Sequence, residues 1–345
     1  MIQKEKSPRI IMTQTPFRVS FIGGGTDMPD YFNNHQGGVL GTTINKYTYV
    51  VINSLERLLE KKIRTSYSKL ELVDEIEDVE DDYVRTILKA NMNIYKNDFY
   101  DIHTFGDLPS GTGIGSSSSF VVGMLNAVHN LNSINKKPKE LAEEAIHIER
   151  VLLDEKGGWQ DQIFAAYGGL NYINFHNNSY EINKLSISDS NKSLLEDSCM
   201  LFFTNIQRSS SEIQEKVFKK TNLEEKQSYF QEIYRLSIEG KKILESIDNS
   251  NEMLKEFGEV VNQGWHLKSS LSDSISNETI DQIYQSAIDA GALGGKACGA
   301  GGGGFILFIV PHEYQNSVRK SLSKLKEIEV KFDDSGSTVV FARNK

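Results

Sequence analysis

The stretch that most constrains this chain is Gly106-Asp107-Leu108-Pro109-Ser110-Gly111-Thr112-Gly113-Ile114-Gly115-Ser116-Ser117-Ser118-Ser119-Phe120. Three glycines alternate with small residues. Four serines then lead into a run that carries Val121, Met124, Leu125, Val128 and Leu131 at helical spacing. Glycine permits φ > 0 and lets main-chain N–H groups come close to a ligand. A helix that begins at the serines opens with unpaired N–H groups and a partial positive charge. Loop and helix start together make a phosphate site. A flexible linker of the same composition would not run straight into an amphipathic helix.

Other phosphate and nucleophile motifs do not fit. No Lys-Ser or Lys-Thr follows the glycines, so the loop is not a Walker A motif. The G-x-G-x-G spacing is not the dinucleotide fingerprint. A protein-kinase catalytic loop, an Asp-Phe-Gly triplet and a G-x-S-x-G elbow are all missing. The histidines are scattered without zinc spacing. A net charge of -9 argues against a nucleic-acid partner, yet leaves room for a phosphorylated small molecule at a local basic site. Cys199 and Cys298 suggest neither a metal pattern nor a disulfide framework, which points to a reducing compartment. The first residues lack the apolar core of a signal peptide, and no apolar run is long enough to span a membrane. A cytoplasmic protein with no membrane partner is expected; a homodimer is left open.

The 345 residues suggest two domains of mixed α+β type. The expected first half, 1–185, opens with strands Arg9–Thr15 and Phe17–Ile22, separated at Pro16. Strands Val39–Ile44, Lys46–Asn53, Lys62–Tyr67 and Leu70–Ile76 follow, then a helix over Asp81–Tyr95 and a strand, Phe99–Phe105, that enters the loop. A second helix begins near Pro138, buries Leu141, Ala145, Ile148 and Leu152, and is capped by Gly157-Gly158. The chain then leads toward a strand at Gly168–Phe175, with a turn at Asn177-Asn178-Ser179. The second half, 186–345, is expected to hold a strand at Cys199–Asn205 and helices at Glu212–Lys220, Glu224–Ile247, Glu252–Ser269 and Asn277–Ala290. A glycine run, Gly299–Gly304, feeds the strand Phe305–Val310. Helix His312–Leu325 and strands Glu329–Phe332 and Thr338–Phe341 close the chain.

Three stretches together resemble the GHMP kinases, the family of galactokinase, homoserine kinase, mevalonate kinase and phosphomevalonate kinase. Pro109–Ser117 is similar to the family's phosphate loop. Pro16-Phe17-Arg18-Val19-Ser20-Phe21-Ile22-Gly23-Gly24-Gly25-Thr26-Asp27 resembles its N-terminal substrate motif, and Lys296–Phe305 its C-terminal glycine-rich motif. The three occur in the family's order over nearly the whole chain. The resemblance implies a ribosomal-protein-S5-domain-2-like N-terminal domain, a ferredoxin-like C-terminal domain and an active site between them. It also implies a kinase that uses ATP and Mg2+.

By motif position the resemblance assigns ATP to Pro109, Ser110, Gly111, Thr112, Gly113, Ile114, Gly115, Ser116, Ser117 and Ser118. Magnesium falls to Ser117 and Glu149, since that ion is content with few protein oxygens and several waters. Asp161 matches the catalytic aspartate, which would orient or deprotonate the attacked hydroxyl. Arg18 matches the family's basic residue and would neutralise the moving phosphoryl group. Asp27, after its glycine turn, suits a polyol because a carboxylate offers several acceptor sites. Gly24, Gly25, Thr26, Asp27, Gly158, Asp161 and Arg18 are therefore the substrate candidates.

Galactokinase has an acidic residue and a histidine where this chain has Gly24-Gly25, which argues against galactose. Gly23–Asp27 with Gly157–Gln162 is most similar to the kinases that phosphorylate the anomeric hydroxyl of D-glycero-D-manno-heptose 7-phosphate. A phosphorylated sugar needs a second anion site. Arg208, in Thr204–Ser211, is one candidate and Lys296 another. The final glycine run is expected to permit close packing on the nucleotide loop. Asn53, Ser54 and Arg57 are candidates for the adenine pocket. The alternatives are another sugar 1-kinase of the family, of fucose or N-acetylhexosamine type, and an inactive galactokinase-like sugar sensor.

Overall fold

Two long antiparallel strands, β1 (Pro8–Ile22) and β2 (Gly37–Leu55), form the spine of the molecule. The computed structural model describes residues 8–55, 61–91, 99–206 and 220–344. Between the two strands lies a one-turn helix, α1 (Pro29–Phe32). The chain continues through β3 (Ile63–Ser66), β4 (Leu70–Val73), α2 (Asp82–Asn91) and β5 (Phe99–Gly106) into the Gly/Ser loop. Then come α3 (Ser116–Leu131), α4 (Pro138–His147), α5 (Gln160–Tyr167), β6 (Asn171–His176), β7 (Ser179–Lys184), α6 (Asp189–Ser198) and β8 (Cys199–Phe203). The last part holds α7 (Lys220–Ser246), α8 (Ser250–Ser269), α9 (Glu278–Asp289), β9 (Gly294–Ala297), β10 (Phe305–Ile309) and α10 (His312–Ser321). It ends with β11 (Lys326–Ile328), β12 (Phe332–Asp333) and β13 (Thr338–Asn344).

The first sheet runs β13-β1-β2-β5-β3-β4, with β12 and the β6–β7 hairpin also paired to or through β2. The second sheet is antiparallel, in the order β11-β8-β10-β9. The architecture is α+β, as expected. The closing strands do not stay with the second half of the chain: β13 pairs β1 over Gln14↔Thr338 to Pro8↔Asn344, and so crosses the division at 185.

Several elements differ from the sequence expectation. β1 is not broken at Pro16. The pairing steps from Pro16↔Tyr47 to Phe17↔Ile44, so Asn45 and Lys46 bulge out of β2 and the strand passes the proline at an irregularity. The same bulge joins the two expected strands into β2. The helix from Pro138 does not last to Gly157. It widens into a π-turn over Ile148–Leu152, which rotates Leu152 out to 48% exposure and brings Glu149 inward. Residues 160–167 form a helix rather than a connector; Gln160 and Gln162 are buried along with the consecutive Ile163, Phe164, Ala165 and Ala166, so no apolar period marks it in the sequence. The turn at Asn177-Asn178 is present, with φ of 45° and 56°, and it closes the β6–β7 hairpin. The helix expected over Glu212–Lys220 lies, apart from Lys220, outside the described residues.

Helix α3 lies on the first sheet. Val121, Val122, Leu125 and Val128 pack among Ile11, Val50, Ile52 and Ile102. A second cluster spans both halves: Phe17, Phe21 and Leu40 from the first sheet meet Leu201, Phe305 and Leu307 of the second and Phe257 of α8. Phe21 and Phe257 meet edge to face at 5.4 Å. Ile114 of the Gly/Ser loop and Cys298 belong to this same cluster, so the loop is seated on the junction.

Candidate active site

Three glycines shape the loop before α3. Gly111, Gly113 and Gly115 have φ of 72°, 82° and 76°, a region that residues with a Cβ avoid. Gly115 is the N-cap of α3, and no side chain caps the first turn. The N–H groups there are left facing the cavity, as an anion site requires. The loop is clamped from behind by the final glycine run. Phe305 donates its N–H to Thr112 O at 3.2 Å, and a Cβ on Gly113 would come within 2.5 Å of Cys298 O. That run therefore serves close packing.

The cavity in front of the loop has a volume of about 250 Å³. Gly111, Gly113, Gly115, Ser116, Ser117 and Ser118 line it, with Arg18, Gly24, Gly25, Asp27, Glu149, Gly158 and Asp161. Residues more than a hundred positions apart are thus gathered into one space. Thr112 and Ile114 are fully buried and point away from it, the Thr112 hydroxyl donating to Pro109 O at 2.8 Å. Pro109 and Ser110 are exposed and shape the loop without lining the cavity. Thr26 is also fully buried. Its hydroxyl donates to Gly23 O at 2.8 Å and accepts from Gly38 N at 3.0 Å, so it holds the turn. Asn53 and Ser54 lie on β2 and do not line the cavity. Arg57 and Arg208 lie outside the described residues.

Arg18 is 3% exposed and crosses the floor of the cavity. Its Nε and Nη2 donate to Asp161 Oδ1 at 2.8 and 2.6 Å, and its Nη1 donates to Gly113 O at 2.7 Å. One guanidinium therefore fixes both the first-turn carboxylate of α5 and the phosphate loop. Asp27 is 2% exposed and accepts from Gly25 N at 2.8 Å and from Gln160 Nε2 at 2.9 Å. A Cβ on Gly158 would lie 1.8 Å from Asp27 Oδ2, so only glycine fits there.

Glu149 sits at the back, in the π-turn, and is 1% exposed. Burial is the main influence on its carboxyl and pushes its pKa up to about 8, against the opposing pull of Arg150. The hydroxyl of Ser118 lies 3.0 Å from both of its oxygens, and Gln162 Nε2 donates to Oε2. Ser118 rather than Ser117 thus meets Glu149. Neighbours on a helix point about 100° apart, and Ser117 faces outward into the cavity mouth. Sequence reasoning also missed Arg150 and Lys268, and took Gln160 and Gln162 only as part of the Gly157–Gln162 stretch, with no role of their own. Gln160 and Gln162 fall in a helix with no visible period. Arg150, which donates to Gly158 O at 2.9 Å, and Lys268, which donates to Gly299 O at 2.5 Å, carry no local signal at all.

An anion cradle, a buried guanidinium–carboxylate pair and a desolvated acid around one cavity define a phosphotransferase for a small molecule. Residues 82–169 match the GHMP kinases N terminal domain and residues 244–327 the GHMP kinases C terminal domain. D-glycero-alpha-D-manno-heptose 7-phosphate kinase of Campylobacter jejuni is 33% identical over 326 residues, covering 92% of this chain and 94% of that protein. Bifunctional fucokinase/GDP-fucose pyrophosphorylase of Arabidopsis thaliana is 26% identical over 344 residues, covering 94% of this chain but 32% of that one. Among solved structures, a D-glycero-D-manno-heptose 1-phosphate kinase from Bacteroides thetaiotaomicron is similar, with a TM-score of 0.76 and 25% identity over 96% of this chain and 99% of that one. A mevalonate kinase shares the fold, with a TM-score of 0.71 and 21% identity over 94% of this chain and 99% of that one. The chain belongs to the GHMP kinase family and has its α+β fold. It is a sugar kinase that uses ATP.

Proposed function

We propose that this enzyme transfers the γ-phosphoryl group of ATP to the anomeric hydroxyl of D-glycero-D-manno-heptose 7-phosphate. The product is the 1,7-bisphosphate, a precursor of nucleotide-activated heptose for surface polysaccharide. The observation that carries the substrate is the full-length similarity to the Campylobacter jejuni heptose 7-phosphate kinase. Gly24 and Gly25 add no side chain of their own to the cavity wall, so the groups that border the acceptor there are Lys268 and Gln160 at Gly24 and Phe230 at Gly25.

Phosphoryl transfer is mainly positioning and charge stabilisation. The N–H groups of the loop and of the first turn of α3 hold the ATP phosphates. Asp27 accepts hydrogen bonds from sugar hydroxyls, oriented by Gln160 and by the Gly25 N–H. Asp161 accepts from the attacking hydroxyl. Arg18 holds this carboxylate in one position, so its main contribution is orientation, and it takes the proton only as the new P–O bond forms. Arg18 faces the transferred group and offsets its charge.

The donors beside the phosphate loop suit magnesium. They are hard oxygens, the hydroxyl of Ser118 and the buried carboxyl of Glu149, with the Ser117 hydroxyl at the cavity mouth. A carboxyl kept from water with a raised pKa gains from a nearby cation. Bound there, Mg2+ would neutralise phosphate charge and present ATP in one orientation.

No helix among the described residues is long and apolar enough to cross a membrane. We place the enzyme in the cytoplasm, acting on small molecules, with neither nucleic acid nor membrane as partner; a homodimer is compatible with this reading. The intact set of Arg18, Asp161 and Glu149 argues for an active kinase rather than a sugar sensor. A sugar panel with ATP and magnesium tests the proposal. Heptose 7-phosphate should have the highest kcat/KM. Faster turnover of fucose, an N-acetylhexosamine or another neutral monosaccharide would replace it.

A further inference from the structure

Two lysines play no part in the chemistry above: Lys268, which lines the cavity, and Lys296, which is buried beside it and does not line it. Lys296 of β9 is 3% exposed, and its Nζ lies 3.3 Å from Ser20 Oγ. Lys268, in the last turn of α8, donates to Gly299 O at 2.5 Å. Neither lysine forms an ion pair among the described residues. The two ammonium groups converge on one spot. A Cβ placed on Gly24 would lie 3.5 Å from Lys268 Nζ, 4.0 Å from Lys296 Nζ and 3.7 Å from Gln160 Nε2. Three nitrogen donors therefore border one small volume above the Gly24 backbone, which is free because residue 24 has no side chain.

The nearby charges do not balance. Arg18, Lys268 and Lys296 face Asp27 and Asp161, and Asp161 is already committed to Arg18. Asp27 is turned to Gly25 N and Gln160. Two ammonium groups converging out of water are costly where Asp27 offsets them only in part, and burial pulls both below the ordinary lysine range, Lys268 to about 8. The charge of Lys268 also disfavours that of Lys296. An oxyanion in the volume they border would relieve this and take up their free N–H groups.

We infer that Lys268 and Lys296, with Gln160 Nε2, grip the phosphate already carried by the acceptor sugar, over Gly24. This rests on the sugar-phosphate reading above. The site gives the enzyme a reason to prefer a phosphorylated over a neutral sugar that does not involve Arg208. The rival ligand of the same chemistry is the phosphoryl group in transfer, because Lys268 is bonded to Gly299 and Gly299 packs on Gly113 of the phosphate loop.

Steady-state kinetics separate the two. The variants are Lys268→Gln, Lys296→Met and Gly24→Ala, with heptose 7-phosphate and unphosphorylated heptose as acceptors. Gly24→Ala adds a methyl at ordinary contact distance, so it tests the site even if the buried Lys296→Met fails to fold. Each variant should raise KM for heptose 7-phosphate about 10- to 100-fold, the usual loss for a charged hydrogen bond. KM for ATP should stay within about twofold of wild type. The preference for phosphorylated over neutral heptose should shrink by the same factor as the rise in acceptor KM. A raised KM for ATP, or an equal fall in kcat on both acceptors with acceptor KM unchanged, would assign the lysines to the transferred group and overturn the inference. Unchanged kinetics in a wild type that prefers heptose 7-phosphate would also overturn it while leaving the substrate intact. A wild type that prefers neutral heptose would instead sink the substrate reading, and the inference with it.

Discussion

Glu149 is a carboxylic acid held almost wholly out of water. Its carboxyl has an ordinary value near 4.5 in the unfolded chain and about 8 in the folded one. Between those values the folded state holds a proton that the unfolded state has lost. This stability is fully present below about 4.5 and is lost as pH rises toward 8. The melting temperature of the metal-free enzyme should therefore decline across that window, and Glu149→Gln should flatten the decline. An unchanged pH profile of Tm in the variant would remove Glu149 from the account. Asp161→Asn should lower kcat by about 10²- to 10⁴-fold, the usual contribution of a positioned base. The asparagine still offers Arg18 an acceptor, and Gly113 O remains, so circular dichroism should show a folded protein. Undiminished turnover would show that this carboxylate takes no part in the chemistry. Gly158→Ala would drive a methyl into Asp27 Oδ2 and should raise acceptor KM at least about tenfold, with KM for ATP little changed.

At the scale of elements, the site depends on how α3, the π-turn after α4, and α5 meet. The apolar stripe of α3 is visible in the sequence because the polar residues Asn126, His129 and Asn130 fall between its members Val121, Met124, Leu125, Val128 and Leu131, although the fold buries Asn126 and His129 as well. The π-turn is not visible. One extra residue in a turn shifts every later side chain around the axis, and only packing decides whether Glu149 or Leu152 goes inside. Helix α5 was illegible for a different reason: a short helix buried on nearly all sides has no periodic signature. The loop before α3 is joined to the run before β10 by contacts that only glycine allows. Gly113→Ala should push the loop off Cys298 O in addition to straining a φ of 82°. We expect a KM for ATP raised about tenfold or more, since the N–H cradle would lose its shape. Isothermal titration with a non-hydrolysable ATP analogue measures this directly, and wild-type affinity would contradict it.

At the scale of the whole molecule, the two halves of the chain are not separable bodies. β13 completes the edge of the first sheet beside β1, and the second core cluster takes residues from both sheets and α8. A fragment of residues 1–185 would expose Phe17, Phe21 and Leu40 and leave β1 as a bare edge. It should aggregate, or bind a hydrophobic dye strongly, where the full chain does not; a soluble fragment with native near-UV dichroism would refute this. The sequence by itself determined the phosphate loop, the glycine turn before Asp27, the α+β alternation and the family. These rest on local rules: glycine where φ is positive, apolar residues at helical or strand spacing, and three motifs in a known order. Only the tertiary structure decided that Ser118 and not Ser117 meets Glu149, that Arg18 clamps Asp161 to the loop, and that Lys268 and Lys296 converge over Gly24. Those contacts join residues 31, 143 and more than 240 positions apart. The register of one strand on another and the rotation of each helix set such meetings, and neither is written in any short stretch of chain.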